Sequence, residues 1–236
     1  MPGRILRKDR AALSSEKGKE NMAIIVMLYG QSGTGKSASL RNFKKGEVGI
    51  INVSGKPLPF KSDLPFISTD NYSKVWETLH GAKAPSIVID DATYLMTDEF
   101  MRTSKVTGYQ KFTDMAKNFF DTIEQARNLP ADKIVYFIGH SDVDANGNEK
   151  FKTIGKLLDE KVTLEGKFTI VLKSVVTDGH YQFSTQNNGV DTVKSPIGMF
   201  NSPLIDNDLA AVDKTIREYY GLSKKTAETA KEEKKV

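Results

Sequence analysis

The chain has 236 residues, enough for one large α/β domain with a sizeable core, and its apolar (39%) and charged (27%) fractions are those of a globular protein. It has no cysteine, which excludes disulfides and thiolate metal sites and fits a reducing compartment. The net charge of +4 sits at the ends: residues 1–21 carry +3, residues 224–236 carry +2, and the residues between carry −1. A polyanion held by the core therefore needs a local basic patch.

Residues 1–21 are polar and charged and read as an appended arm; residues 222–236 read as a charged tail. One domain is expected over 22–221. The start of the chain lacks the apolar centre of a signal peptide, and no apolar run approaches the roughly 20 residues that span a bilayer. The expected location is the cytoplasm, with no membrane partner.

Ala23 to Tyr29 is an unbroken apolar run, the pattern of a strand buried on both faces of a parallel sheet. It leads into Gly30-Gln31-Ser32-Gly33-Thr34-Gly35-Lys36-Ser37, a complete match to G-x-x-x-x-G-K-[ST]. In this motif glycines let consecutive N–H groups converge on one anion. Lys36 reaches the β- and γ-phosphates, and the Ser37 hydroxyl ligates Mg²⁺. Residues Gly30 to Ala38 are thus the candidate nucleotide-binding loop, followed by a short helix with Leu40 and Phe43 on one face.

Val48 to Val53 is the second expected strand. Gly55 to Asp70 holds three prolines and reads as loop. Tyr72 to His80 reads as a short helix with Trp76 and Leu79. Ser86-Ile87-Val88-Ile89-Asp90-Asp91 is an apolar strand ending in two acids, about 50 residues beyond the phosphate loop. Asp90 is the candidate Mg²⁺ ligand beside Ser37. Asp91 is the candidate to orient or deprotonate an attacking water, although it is one methylene shorter than a glutamate.

Phe112, Met115, Ala116, Phe119, Ile123 and Ala126 recur at helical spacing between Tyr109 and Asn128, and Pro130 ends that helix. Ile134 to Ile138 is a fourth buried strand. His140 follows it, at an edge where a polar side chain can contact the γ-phosphate or its water. His80 and His180 have no partner at metal-ligand spacing. Asn146 to Lys156 mixes glycine, lysine and an aromatic. Read as a mobile basic loop, it offers Lys150, Lys152 and Lys156 to a nucleic-acid backbone and Phe151 to a base. Phe168 to Leu172 and His180 to Ser184 read as an antiparallel pair around Asp178-Gly179. Asn207 is the expected cap of a closing helix that Gly221 stops.

The order of these features is the one used by RecA-like ATPases. The chain resembles, from about Met22 to Gly221, bacteriophage nucleotide-binding proteins of the AAA-like/RecA-like class, a group that includes phage single-strand annealing recombinases. The resemblance implies a RecA-like P-loop NTPase fold, with a mostly parallel central sheet flanked by helices and an antiparallel hairpin toward the C-terminus. It implies Mg-ATP bound between subunits of a homo-oligomeric ring or filament, and single-stranded DNA held by loops at about 144–161. It also implies a basic residue acting in trans. Lys194 is the nearest match, with Pro196 where the class places arginine.

The leading expectation is an ATPase of phage DNA recombination or replication. An ATP-dependent switch or loader with little turnover, acting on a single-strand-binding or replication protein, is the non-enzyme alternative. A nucleotide kinase would need lid arginines, which are few and scattered in the core. No Asn-Lys-x-Asp motif reads guanine.

Overall fold

Apolar runs whose side chains alternate between two covered faces build the centre of this molecule. The computed structural model describes residues 22–222, so the arm at 1–21 and the tail beyond Leu222 lie outside the described residues. The strands are β1 (Ile24–Gly30), β2 (Val48–Asn52), β3 (Phe66–Ser68), β4 (Ser86–Asp90), β5 (Ile134–Val143), β6 (Glu149–Phe151), β7 (Ile170–Thr177), β8 (His180–Ser184) and β9 (Leu204–Asp206). The α-helices are α1 (Tyr72–Gly81), α2 (Thr93–Arg102), α3 (Gln110–Arg127) and α4 (Leu209–Tyr220).

The sheet runs β3-β2-β4-β5-β1-β7-β8-β9. Its members from β3 to β7 are mutually parallel, and β8 and β9 continue it antiparallel. The result is an α/β fold with a mixed, mostly parallel sheet flanked by helices. In β1, Ile25, Met27 and Tyr29 join one core with α1, α2 and α3. Val26 and Leu28 point the other way and join a second core with Leu40, Phe43 and α4. Both faces of β1 are therefore dry, as its unbroken apolar run requires. Leu222 packs into the second core.

Several elements depart from expectation. The proline-rich segment after β2 holds β3 at the sheet edge. Helix α2 was not anticipated; it buries Leu95 and Met96 against the sheet. Strand β5 runs on to Val143, and β6 folds back antiparallel on that extension. The β7–β8 hairpin turns at Asp178-Gly179, where both residues have positive φ (52° and 79°), the backbone that this dipeptide favours. Asp208, not Asn207, caps α4, its side chain accepting from the Ala210 and Ala211 N–H groups. Gly221 ends the helix. No helix among the described residues is long and apolar enough to cross a membrane.

Candidate nucleotide site

The carboxyl ends of β1, β2, β4 and β5 open on one edge of the sheet. Parallel register aligns Gly30 with His140, and Asn52 with Asp90, so four chemistry-bearing segments leave the sheet together. Ligands of open α/β sheets bind at this edge.

After Gly30 the loop turns through Gly33 and Gly35, at φ +83° and +86°. Gly35 is also crowded: a Cβ there would lie 2.9 Å from the Tyr181 ring and 3.3 Å from the Asn207 amide. Only glycine meets both conditions. The loop is fastened internally by Thr34 Oγ1 donating to the Gln31 carbonyl at 2.9 Å, and from β7 by the Ser174 hydroxyl donating to the Thr34 carbonyl.

Lys36 is 6% exposed, and its ammonium donates to the carbonyls of Gly30 (2.9 Å) and Gln31 (2.7 Å). Burial lowers its pKa, an effect only partly opposed by Asp91 and Asp90. The helix after the loop, Ser37–Asn42, is a single short 3₁₀ segment. An anion placed here would therefore meet the loop N–H groups and Lys36, not a long helix dipole.

The Ser37 hydroxyl donates to Asp90 Oδ1 at 3.0 Å, across a sequence separation of 53 residues. Asp90 is 4% exposed and also accepts the Asp91 backbone N–H at 3.1 Å. Burial, and then the charge of Asp91, push the Asp90 carboxyl up to about 6. Asp91 adopts a left-handed backbone (φ 58°), uncommon for a residue with a Cβ. Its carboxylate meets Lys56 Nζ at 3.2 Å and lies 3.6 Å from His140 Nε2.

That His140 separation is too long for a hydrogen bond. Nε2 is buried and has no partner among the described residues. Burial and then Lys36 lower the imidazole's pKa, so the ring is neutral near pH 7 and can donate or accept. Its edge packs against Tyr94.

These groups surround a cleft of about 520 Å³, lined on one side by Ser32, Gly33, Gly35, Lys36, Ser37 and Ala38, and on the other by Lys56, Asp91 and His140. Arg41, Tyr181 and Asn207 line it near the loop. Arg41 Nη1 donates to the Asn207 carbonyl at 2.6 Å. Three cations, Lys36, Arg41 and Lys56, thus supply the local basic patch that a core of net −1 requires.

Lys36, Ser37, Asp90, Asp91 and His140, widely separated in sequence, are brought together. Lys194 is not. It is exposed and pairs with the Val171 backbone in an antiparallel bridge, apart from the cleft lining of its own subunit.

The expected DNA segment needs a correction. Phe151 is 1% exposed and stacks on Phe119 with ring centroids 6.0 Å apart, so it has no face to offer a base. Its place requires Gly139, since a Cβ there would lie 2.4 Å from the Phe151 ring. The segment is also fastened, not a free loop. Glu149 meets buried Lys173 at 3.4 Å, Lys173 meets Asp191 at 2.8 Å, and the Tyr29 hydroxyl donates to the Glu149 carbonyl. Lys152 and Lys156 are exposed and Lys150 is half-buried. The Lys152 N–H donates to the His140 carbonyl at 2.9 Å, which ties this hairpin to a residue lining the cleft.

Sequence reasoning missed Lys56, Arg41, Tyr181 and Asn207 as cleft residues. The one available signal was positional: a lysine just past the carboxyl end of a parallel strand. The chain matches no known protein-family model and no curated protein.

Proposed function

We propose that this chain binds Mg-ATP and hydrolyses it, as a RecA-like P-loop protein acting on DNA in phage recombination or replication. The observation that carries the reading is the 3.0 Å contact between Ser37 and Asp90 beside the Lys36 loop. Loop and acid come from different strands, yet form the pair of oxygen donors that a phosphate-bound Mg²⁺ needs from protein, its other ligands being phosphates and water. The insertion of β5 between β1 and β4 supports the RecA-like assignment, because it sets His140 beside both loop and acids.

In this reading the loop N–H groups and Lys36 hold the β- and γ-phosphates, with Lys36 exchanging loop carbonyls for phosphate oxygens. Ser37 and Asp90 would hold Mg²⁺, which neutralises charge developing on the transferring phosphoryl group. Asp91 accepts a proton from water as that water bonds to the γ-phosphorus. The bond to the β–γ bridging oxygen breaks, and ADP and phosphate leave. His140 reports the change through its carbonyl to Lys152, and so to the exposed lysines of a hairpin proposed to track single-stranded DNA in an oligomer. Steady-state ATP hydrolysis by wild type and Lys36→Ala, with and without single-stranded DNA, tests this. DNA-stimulated turnover that the variant lacks is the expected result.

One observation favours a second reading, an ATP-dependent switch that loads a replication protein. Asp91 is short, and its carboxylate is already engaged by Lys56. Such a base works slowly. Tight Mg-ATP binding, no turnover and no DNA effect would decide for the switch.

A further inference from the structure

The loop after β2 carries a cation that neither motif accounts for. Strand β2 ends at Asn52, in register with Asp90. Asn52 is 2% exposed and spends its amide on the loop: Oδ1 accepts the Gly55 N–H at 2.9 Å, and Nδ2 donates to the Lys56 carbonyl at 2.6 Å. The Val53 N–H is held by the Asp90 carbonyl at 3.1 Å, and Pro57 and Pro59 stiffen the exit. A buried polar side chain thus fixes the Lys56 backbone beside the acids.

The Lys56 side chain, by contrast, is free to pivot. It is 63% exposed, with Nζ against Asp91 at 3.2 Å and over the Tyr94 ring at 5.3 Å. It lines the main cleft and also a smaller cavity, of about 190 Å³, shared with Ser37, Asp90 and Asp91. The other two cleft cations are more constrained. Lys36 is tied to the loop carbonyls, and Arg41 to the Asn207 carbonyl. Lys56 alone of the three is ion-paired with a carboxylate that lines the cleft, that of Asp91.

We propose that Lys56 is a catalytic residue, acting in cis: when a triphosphate occupies the cleft, its ammonium leaves Asp91 for a γ-phosphate oxygen. This rests on the nucleotide reading above and gives it two further properties. The γ-phosphate gains a cation from its own subunit, whether or not a neighbour supplies another. Asp91 is released from its ion pair only when a γ-phosphate is present, so the base is freed in the triphosphate state and masked in the diphosphate state.

The test compares Mg-AMPPNP, a non-hydrolysable triphosphate, with Mg-ADP by titration calorimetry on the full chain. Lys56→Ala should weaken Mg-AMPPNP by about tenfold, the scale of one charge-assisted hydrogen bond, and leave Mg-ADP within about twofold. Lys56→Arg should restore most of the triphosphate preference, and the melting temperature of both variants should match wild type because the side chain is exposed. Lys56→Ala with an unchanged triphosphate-to-diphosphate ratio, in a wild type that binds both, overturns the Lys56 role and leaves the nucleotide reading intact. Wild type that binds neither nucleotide overturns the nucleotide reading and the Lys56 role with it.

Discussion

Strand β4 has a cluster of polar and charged groups at each end, and the two clusters are built on opposite principles. At its start, Ser86 meets Asp213 and Arg217 of α4, and Tyr136 of β5 joins them through Asp213. Asp213 accepts from the Ser86 hydroxyl, from the Tyr136 hydroxyl at 2.9 Å and from Arg217 Nε at 2.7 Å. Arg217 spends its remaining nitrogens on the carbonyls of Asp132 and Pro85 and on Ser86. Burial and then Asp213 hold the Tyr136 hydroxyl well above its ordinary pKa, so it stays a donor. Every member is satisfied. At the other end, Asp90 and Asp91 sit side by side, one carboxyl pushed up by burial, next to a histidine nitrogen with no partner among the described residues. A satisfied cluster holds a fold together. An unsatisfied one at the mouth of a cleft stores interactions for something that arrives.

The largest expected effect separates the two ends on stability. Asp213→Ala removes one partner of a buried ion pair and strands Arg217, Ser86 and the Tyr136 hydroxyl. It should cost about 3–5 kcal/mol in denaturant unfolding. Asp90→Asn should do the reverse. It removes a carboxylate held in an unfavourable setting, so stability should hold or rise by about 1 kcal/mol. Hydrolysis of Mg-ATP should fall by about a hundredfold, equivalent to about 2.7 kcal/mol. If both variants lost stability alike, the distinction between the two ends of β4 would fail.

The candidate-site end was legible in the sequence and the other end was not. Gly30–Ser37 matches a complete motif after an apolar strand, and Asp90, weak as a signal alone, gains its meaning from that motif about 50 residues upstream. Asp213 and Arg217 lie among ordinary helix residues, and nothing local says that Ser86 waits 127 residues upstream. Lys56 was invisible for a similar reason: its meaning depends on β2 lying next to β4 in register. Strand β3 was lost to the prolines around it, and its three residues carry too little pattern to compete. The alternation Lys150-Phe151-Lys152, by contrast, already had the strand period of one residue in and its neighbours out. Flanking lysines suit a nucleic-acid backbone as well as a strand's exposed face, so composition alone does not separate a stacking Phe151 from a buried one.

A smaller effect tests the burial of Phe151. Phe151→Leu keeps an apolar side chain against Phe119 but loses the stacked ring, and should cost about 1.5 kcal/mol of stability. If the hairpin binds single-stranded DNA, the variant's affinity should match wild type, whereas Lys152→Ala should reduce the salt dependence of binding by about one charge. A loss of DNA affinity in Phe151→Leu at unchanged stability would return Phe151 to the interface and contradict its burial.

The smallest effect concerns α4, which, like β4, spans both regions: Asp213 and Arg217 hold its far part to the start of β4, and its N-terminus lies beside the cleft. Two neighbouring residues there, Asn207 and Asp208, are equally good cap formers, and sequence could not choose between them. Asp208 takes the cap and also accepts from Asn42 Nδ2 at 2.8 Å, while Asn207 turns to Arg41 and the phosphate loop. Asp208→Ala should therefore cost about 1 kcal/mol of stability with nucleotide affinity unchanged. Asn207→Ala should spare the cap and the backbone carbonyl that holds Arg41, and lose only the Oδ1 contact to Arg41 at 3.4 Å and the amide beside Gly35, so Mg-ADP and Mg-AMPPNP should weaken together and slightly. That joint loss differs from the triphosphate-selective loss expected of Lys56→Ala, and would separate the Arg41–Asn207 side of the cleft from its acid side.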